Sequence, residues 1–331
     1  MISYFLEKRR IAQQRTILGV EYDSNSIAMV KLDKKQDGYA LEACSTSSQK
    51  SGWFVETDDA FMRDDNGAIS EEIKNFSSKY KVPKNTKLGY TSYTDIDFFS
   101  EKIKLDKKAI EAIEQEGESH YIREFFLKKK FKDDYLKIPF ASVMKAQNNK
   151  SFIDVSYMAD ENCLKELELI SKKAKKELAI VDMDKQAVIR FVEELYTADS
   201  NFILLGLYND KLTLYYFSNE RELVGYENMK LFDRNISLAT YVDDVLAFVD
   251  RFIEMLILEN MEDENYIVPK IKLFGLKEDF VHLVQNIKNL SEKECSVVDP
   301  FQEIDTELFG NEIENKHCYV IPVGLALRGE F

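Results

Sequence analysis

The sequence predicts an α/β architecture with mixed sheets, and three observations carry that expectation. Strand-like and helix-like runs alternate along nearly the whole chain. Two runs, Ile17–Leu32 and Phe202–Phe217, each read as strand, polar turn, strand. Each of these hairpins opens a segment that goes on to hold long amphipathic helices, so the second half of the chain echoes the first.

In the first hairpin Asp23-Ser-Asn-Ser26 separates two apolar runs, and in the second Asn209-Asp-Lys211 does so. Asn, Asp and Ser favour turns because their short polar side chains bond to nearby backbone. Tyr39–Ser45 continues the first sheet. Ser70–Tyr80 carries Ile73, Phe76 and Tyr80 at helical spacing. Lys87–Thr94 and Phe98–Leu105 read as strands, and Asp106 is placed to cap a Glu-rich helix reaching Tyr121. Strand, helix, strand and helix follow at Phe152–Ala159, Glu161–Lys176, Leu178–Asp182 and Lys185–Tyr196. After the second hairpin come a helix at Ser237–Glu259, a strand at Lys270–Phe274 and a helix at Glu278–Leu290. A short strand near Ser296–Val298 and a helix through Val320–Arg328 complete the pattern.

Composition narrows the function. The 331 residues carry a formal charge of −14, which argues against nucleic acid as the main partner, since phosphate neutralisation needs clustered Lys and Arg. No apolar run approaches the roughly 18 residues that span a bilayer. Met1–Arg10 places its apolar residues before its charges, the reverse of a secretory leader, so a cytoplasmic location is expected. Cys44, Cys163, Cys295 and Cys318 show no metal or redox spacing and read as packed, reduced thiols. His120, His282 and His317 show no ligand pattern and read as surface or packing residues. No Walker loop, nucleophile elbow or His-Glu-x-x-His run is present.

Two segments are basic. Lys128-Lys129-Lys130-Phe131-Lys132 reads as a solvated loop. Lys8, Arg9, Arg10 and Arg15, behind Ile2, Tyr4, Phe5 and Leu6, read either as a frayed terminus or as a peripheral contact with an anionic inner-membrane surface.

The sequence resembles the PilM family of type IV pilus assembly proteins. The resemblance rests first on Asp299-Pro300-Phe301 and Val323-Gly-Leu-Ala-Leu-Arg328. Such chains end with an Asn/Asp-Pro-Phe and a Gly-Leu-Ala-Leu-Arg helix. Tyr93–Leu105, the acidic helix, His120-Tyr121-Ile122, Phe152-Ile-Asp-Val-Ser and Val181-Asp182-Met-Asp184 follow in the family's order. It covers roughly Thr16 to Arg328. The related FtsA is usually longer and ends in an amphipathic membrane helix, and GspL continues into a transmembrane segment; MshI is harder to separate.

The resemblance implies an actin-like (ribonuclease H-like) fold of two lobes. Residues 1–200 form the first, with a small inserted α/β subdomain at about 95–158. Residues 201–317 form the second, and 318–331 are a helix returning to the first. In the family's nucleotide site each hairpin supplies an Asp for magnesium and a Gly that lets backbone approach phosphate. Here the family's Asp-x-Gly-Ser-x-Ser reads Glu21-Tyr22-Asp23-Ser24-Asn25-Ser26. Glu21 is one methylene longer than Asp, but Asp23 stands where Gly makes space. Facing a phosphate at about 4 Å it would cost on the order of 4 kcal/mol at an effective dielectric of about 20. In the second hairpin the expected Asp-x-Gly falls near Gly206-Leu207-Tyr208, with Asp210 as the substitute. The adenosine turn is Gly275-Leu276 instead of Gly-Gly.

The implied cofactor is therefore none, or weakly bound Mg-ATP, on a degenerate site of Glu21, Ser24, Asn25, Ser26, Asp210 and Gly275. Ser24–Ser26 also read as a plain hairpin turn, and Asp182 and Asp184 read either as cleft residues or as a strand end and helix cap. The implied function is a scaffold and pseudo-ATPase beneath the inner membrane, linked to pilus motor ATPases. It grips the amino-terminal peptide of a PilN-like bitopic membrane protein in a groove beside the inserted subdomain. Tyr93, Ile96, Phe98, Phe99, Ile110 and Ile113 are the candidate lining. The alternative is a working ATP switch or ATPase of the FtsA kind; a sugar kinase of the same superfold lacks a convincing catalytic Asp.

Overall fold

A computed structural model describes residues 17–23, 25–49, 54–56, 62–64, 67–91, 98–131, 136, 140–147, 150–158, 161–197, 200–231, 237–259, 269–277, 279–290, 294–307, 309 and 313–328. Two compact units divide the chain, one from Met1–Thr91 with Ile170–Phe331, the other from Ser92–Leu169. The first three strands are β1 (Leu18–Tyr22), β2 (Ser26–Lys35) and β3 (Gly38–Ser48), and a small pair follows, β4 (Phe54–Glu56) and β5 (Met62–Asp64). Next come β6 (Leu88–Thr91), β7 (Phe98–Leu105), β8 (Phe140–Gln147), β9 (Lys150–Met158) and β10 (Leu178–Asp182). The second hairpin supplies β11 (Phe202–Leu207) and β12 (Lys211–Phe217). After it run β13 (Leu223–Lys230), β14 (Lys270–Phe274), β15 (Cys295–Val297) and β16 (Ile304–Asp305).

The larger unit holds a six-stranded sheet, ordered β10-β6-β1-β2-β3-β16, and a five-stranded sheet, ordered β13-β12-β11-β14-β15. Both are built alike. Three antiparallel neighbours, β1-β2-β3 and β11-β12-β13, are followed by strands running parallel to the first of each, β6 and β10 or β14 and β15. The half-chain echo in the sequence is thus a repeat of topology.

β11 shows why such strands read as unbroken apolar runs. Every residue of Phe202–Leu207 is buried. Phe202 and Leu204 enter one core with Val30, Leu32, Phe191 and Leu325, while Ile203, Leu205 and Leu207 enter another with Val245, Phe252 and Leu283. A strand covered on both faces has no polar side to alternate with. The second core is closed by the helices Leu238–Glu259 and Phe280–Leu290, whose apolar residues recur at helical spacing.

The helix Val320–Leu327 is apolar all round, and all eight of its residues are buried. Pro322 is tolerated because it lies in the first turn, where backbone N–H groups have no intrahelical partner. Two glycines let the helix come close. A Cβ on Gly324 would stand 2.0 Å from the carbonyl oxygen of Ala187, and one on Gly19 of β1 would stand 2.1 Å from that of Pro322. Arg190 donates to the Gly324 carbonyl at 2.6 Å, and Arg190 and Arg328 both reach Asp182 Oδ2, at 2.9 and 3.1 Å. Asp299 ties in the preceding turn, accepting from Phe301 N at 3.0 Å and from Lys316 Nζ at 2.7 Å. The residues that carry the sequence resemblance at this end therefore form one packed corner.

The smaller unit has a sheet ordered β7-β9-β8, all antiparallel. Asp106 caps the helix Lys107–Glu116 through a bond from Ala109 N to Oδ1 at 2.8 Å, as its position predicts. The expected continuation to Tyr121 is broken at Gly117, whose φ of 88° ends the helix. A second helical run then starts at Glu118, takes a π-helical course over Ile122–Leu127 and ends at Phe131. Lys128–Lys130 are consequently helical and exposed, not a loop, with Lys128 on Glu124 and Lys130 on Glu101. β8, β13 and β16 are strands that the sequence pattern does not predict. The helix expected to reach Lys176 ends at Lys173, before a turn with Lys175 at φ 57°.

Gly324→Ala must push helix against backbone. It is expected to cost about 1–3 kcal/mol, read as a lower urea midpoint at constant slope. Parent-like stability would show that the helix can step back from Ala187 freely.

Candidate functional site

The turns of the two topologically equivalent hairpins meet within the larger unit. Asp23, after β1, turns its carboxylate into its own loop, where Oδ1 accepts from Asn25 N at 2.8 Å and Ser26 N at 2.7 Å. Its Oδ2 accepts from Asn209 Nδ2 at 2.9 Å and, longer, from Asn209 N at 3.4 Å. Asn209 belongs to the turn between β11 and β12, so four donors from two sheets surround one buried carboxylate.

Other pairs flank this one. Tyr208 donates its hydroxyl to Glu21 Oε1 at 2.7 Å. Lys211 Nζ pairs with Asp184 Oδ2 at 3.1 Å and lies over the Tyr208 ring. Lys277 Nζ donates to Asn209 Oδ1 at 3.0 Å and lies over the ring of Tyr241, whose hydroxyl donates to the Tyr208 carbonyl at 2.8 Å. Gly275 has φ 124°, and a Cβ there would strike the backbone of Leu207 at 2.3 Å. That close approach lets Lys277 N reach the Leu207 carbonyl at 3.0 Å and fixes Lys277 against the second turn.

Burial dominates the electrostatics. Desolvation pushes the Glu21 carboxyl up to about 8, against the pull of the Tyr208 hydroxyl and Lys211. Asp23 is pushed up to about 7 by burial and then by Asp210, against the N–H groups of Asn25, Ser26 and Asn209. The Tyr208 hydroxyl is held well above its ordinary value by burial and then by Glu21.

Of the residues singled out in the sequence, Glu21 is 3 % exposed and covered by Tyr208. Asn25 and Ser26 give their backbone N–H groups to Asp23, and Asp210 is half-buried in the second turn. Ser24 lies outside the described residues. Asp23, which the sequence places where a Gly would admit phosphate, has its carboxylate among the N–H donors of both turns. Asp182 ends β10, and Asp184 Oδ1 accepts from Lys185 N at 2.6 Å in the first turn of its helix. Asp182 is held by two arginines, and Asp184, the first residue of its helix, meets Lys211. Tyr208, Asn209 and Lys211, which the sequence offers only as residues of the second hairpin, belong to the cluster, as do Tyr241 and Lys277. The available signal was Asn209 in one turn matching Asp23 in the other, amide against carboxylate.

Beside this cluster a cavity of about 710 Å³ is lined by Ser26, Thr46, Lys277, Phe280, Asn315 and His317 among others. His317 stacks on Phe280 with centroids 3.8 Å apart, and burial lowers its pKa to about 4. His120 pairs with Glu116 and is exposed, as is His282, so the three His are surface or packing groups. Cys44, Cys295 and Cys318 are buried and form no disulfide among the described residues. Among the same residues no three His, Cys, Asp or Glu side chains stand together as a metal site, and no helix is long and apolar enough to cross a membrane.

Of the partner candidates, Ile110 and Ile113 are half-buried against the small unit's core of Leu105, Ala109, Ile122, Leu127, Ile153 and Val155. Phe98 and Phe99 open β7, opposite Met158 and Tyr157 of β9. Tyr93, Ile96 and residues 1–16 lie outside the described residues.

No protein-family model matches this sequence, and no curated protein does. Solved structures do match. PilM of a PilM–PilN type IV pilus biogenesis complex superposes over 95% of this chain and 98% of its own, with a TM-score of 0.65 at 14% identity. This is an actin-like fold. Lower in similarity are the ethanolamine utilization protein EutJ from Carboxydothermus hydrogenoformans and the cytoplasmic domain of EpsL. The latter is an inner membrane component of the type II secretion system of Vibrio cholerae. EutJ has a TM-score of 0.46 at 8% identity, covering 94% of this chain and 89% of its own. EpsL has 0.44 at 10% identity, covering 95% and 96%. Within the actin-like fold, the meeting hairpins are the two repeats' first β-turns.

Because the folded Glu21 carboxyl holds a proton that the unfolded chain releases, stability should fall as pH rises from about 4.5 to 8, and Asp23 adds the same sign up to about 7. Glu21→Gln keeps an acceptor for Tyr208 without the proton. Between about pH 5.5 and 8 the parent should lose more than about 1 kcal/mol relative to this variant in urea titrations. Parallel pH profiles would remove Glu21 as the linked group.

Proposed function

We propose that this chain is a PilM-like subunit of a type IV pilus or related secretion machine, acting at the cytoplasmic face of the inner membrane as a scaffold. The observation that carries the reading is the fold match to PilM along nearly the full length of both chains. That PilM forms a complex with PilN, and by extension the partner here is the cytoplasmic amino-terminal segment of a PilN-like bitopic protein. The small unit offers the docking surface, with Tyr93, Ile96, Phe98, Phe99, Ile110 and Ile113 as its candidate residues. Pilus motor ATPases are the further partners on this reading.

The nucleotide site of the fold is degenerate on the same reading. The N–H groups that would cradle a phosphate are those already taken by Asp23, and the carboxylate expected to serve magnesium is Glu21, covered by Tyr208. These residues do not fit a bound Mg-ATP in this arrangement. One observation favours the second reading, an ATP-binding switch: the cavity of about 710 Å³ beside Lys277 and Ser26 has room for a ligand.

Two titrations separate the readings. A synthetic peptide from the amino terminus of a PilN-like neighbour should bind with micromolar affinity. Phe98→Ala or Phe99→Ala should weaken it by more than about 1 kcal/mol without lowering stability. Mg-ATP should give no heat at the same concentrations. A peptide that fails to bind ends the scaffold assignment, and micromolar binding of Mg-ATP establishes the switch.

A further inference from the structure

We propose that the Asp23 carboxylate is a built-in substitute for a ligand anion, latching the two sheets of the larger unit together at their hairpin turns without any bound molecule. The inference rests on the reading of the nucleotide site as degenerate, and deepens it by naming what occupies the cradle.

An Asp in a tight turn commonly bonds to the backbone a few residues on, and that habit accounts for Oδ1 with Asn25 and Ser26. It does not account for Oδ2, whose partner Asn209 lies 186 residues away on the other sheet. A local turn needs no such partner. Asp23 and Asn209 are 2 % and 4 % exposed, so the bond forms where an unmet carboxylate would be costly.

The geometry of Asn209 is prepared for the task. Lys277 holds its Oδ1, which turns Nδ2 toward Asp23. Lys277 is itself fixed by its backbone bond to Leu207, made possible by the positive φ of Gly275, and by the Tyr241 ring. Asn209 thus stands in place independently of Asp23. Two donors come from each turn, converging on one anion, which is the arrangement expected of an oxyanion cradle between two lobes. Here the anion is supplied in cis. The Tyr208–Glu21 and Lys211–Asp184 contacts run between the same parts and close alongside it.

The test is amide hydrogen exchange of the full chain, without nucleotide or peptide. Asp23→Ala should raise exchange at least tenfold in the turns around Asn25–Ser26 and Asn209–Asp210, leaving β6 and β14 protected. Formate added at tens of millimolar should restore protection by filling the vacated place. Should Asp23→Ala fold poorly, Asn209→Ala loosens the latch from the other side and should expose the first turn in the same way. The double variant should be no looser than either single one. Unchanged exchange at the Asn209 turn, uniform loss of protection across both sheets, or formate without effect would each overturn the latch. Mg-ATP binding by the parent would instead sink the degenerate-site reading, so the two failures are told apart.

Discussion

A carboxyl group taken out of water has to be met by hydrogen-bond partners, by opposite charge or by a proton of its own, and in this chain that requirement repeatedly joins segments far apart in sequence. Glu21 is met by Tyr208, Asp23 by Asn209, Asp184 by Lys211, and Asp182 by Arg190 and Arg328. Each acid comes from the first sheet or the helix behind it. Their distant partners come from the second hairpin or, for Asp182, from Arg328 at the end of the Val320–Leu327 helix. Apolar burial brings the sheets together without direction, whereas the Glu21–Tyr208, Asp23–Asn209 and Asp184–Lys211 pairs each need their own partner and so select one register of one sheet on the other.

The packing around them follows from the same placement. Leu204 and Leu325 share a core because β11 is covered on both faces, and the all-apolar helix Val320–Leu327 fills the space that this leaves. The helix can approach only where Gly19 and Gly324 offer no Cβ. The Arg190 and Arg328 bonds then anchor it to Asp182. Glycine, arginine and carboxylate at this corner pack as one unit.

Much of the fold was legible because its elements announce themselves locally. Both hairpins, Phe98–Leu105, Leu178–Asp182 and Lys270–Phe274 stand where alternation or apolar runs place them. β13 did not announce itself, because its burial alternates weakly and Gly225 and Asn228 interrupt the β-rich pattern. Gly117 hid a helix break inside an acidic stretch that reads as continuous. At the site, Glu21 was legible from its place in the first hairpin, but the orientation of Asp23 could not be read. Whether a turn carboxylate faces outward or inward depends on a donor 186 residues away, and nothing near Asp23 in sequence encodes Asn209.

The repeat of topology gives this pairing its meaning. Two equivalent hairpins place two equivalent turns opposite each other, with backbone N–H groups aimed at the space between. Such a space holds positive potential wherever those donors are unmet, so it must be filled by water, by an anion from outside or by an acidic side chain. A ligand from outside couples the sheets to its own concentration, which suits a switch. A side chain couples them permanently, which suits a part that must present one rigid surface to its neighbours. On the reading proposed above, Asp23 and its four donors put this chain on the second course, and the Tyr208 hydroxyl, bonded to Glu21 Oε1, lies alongside.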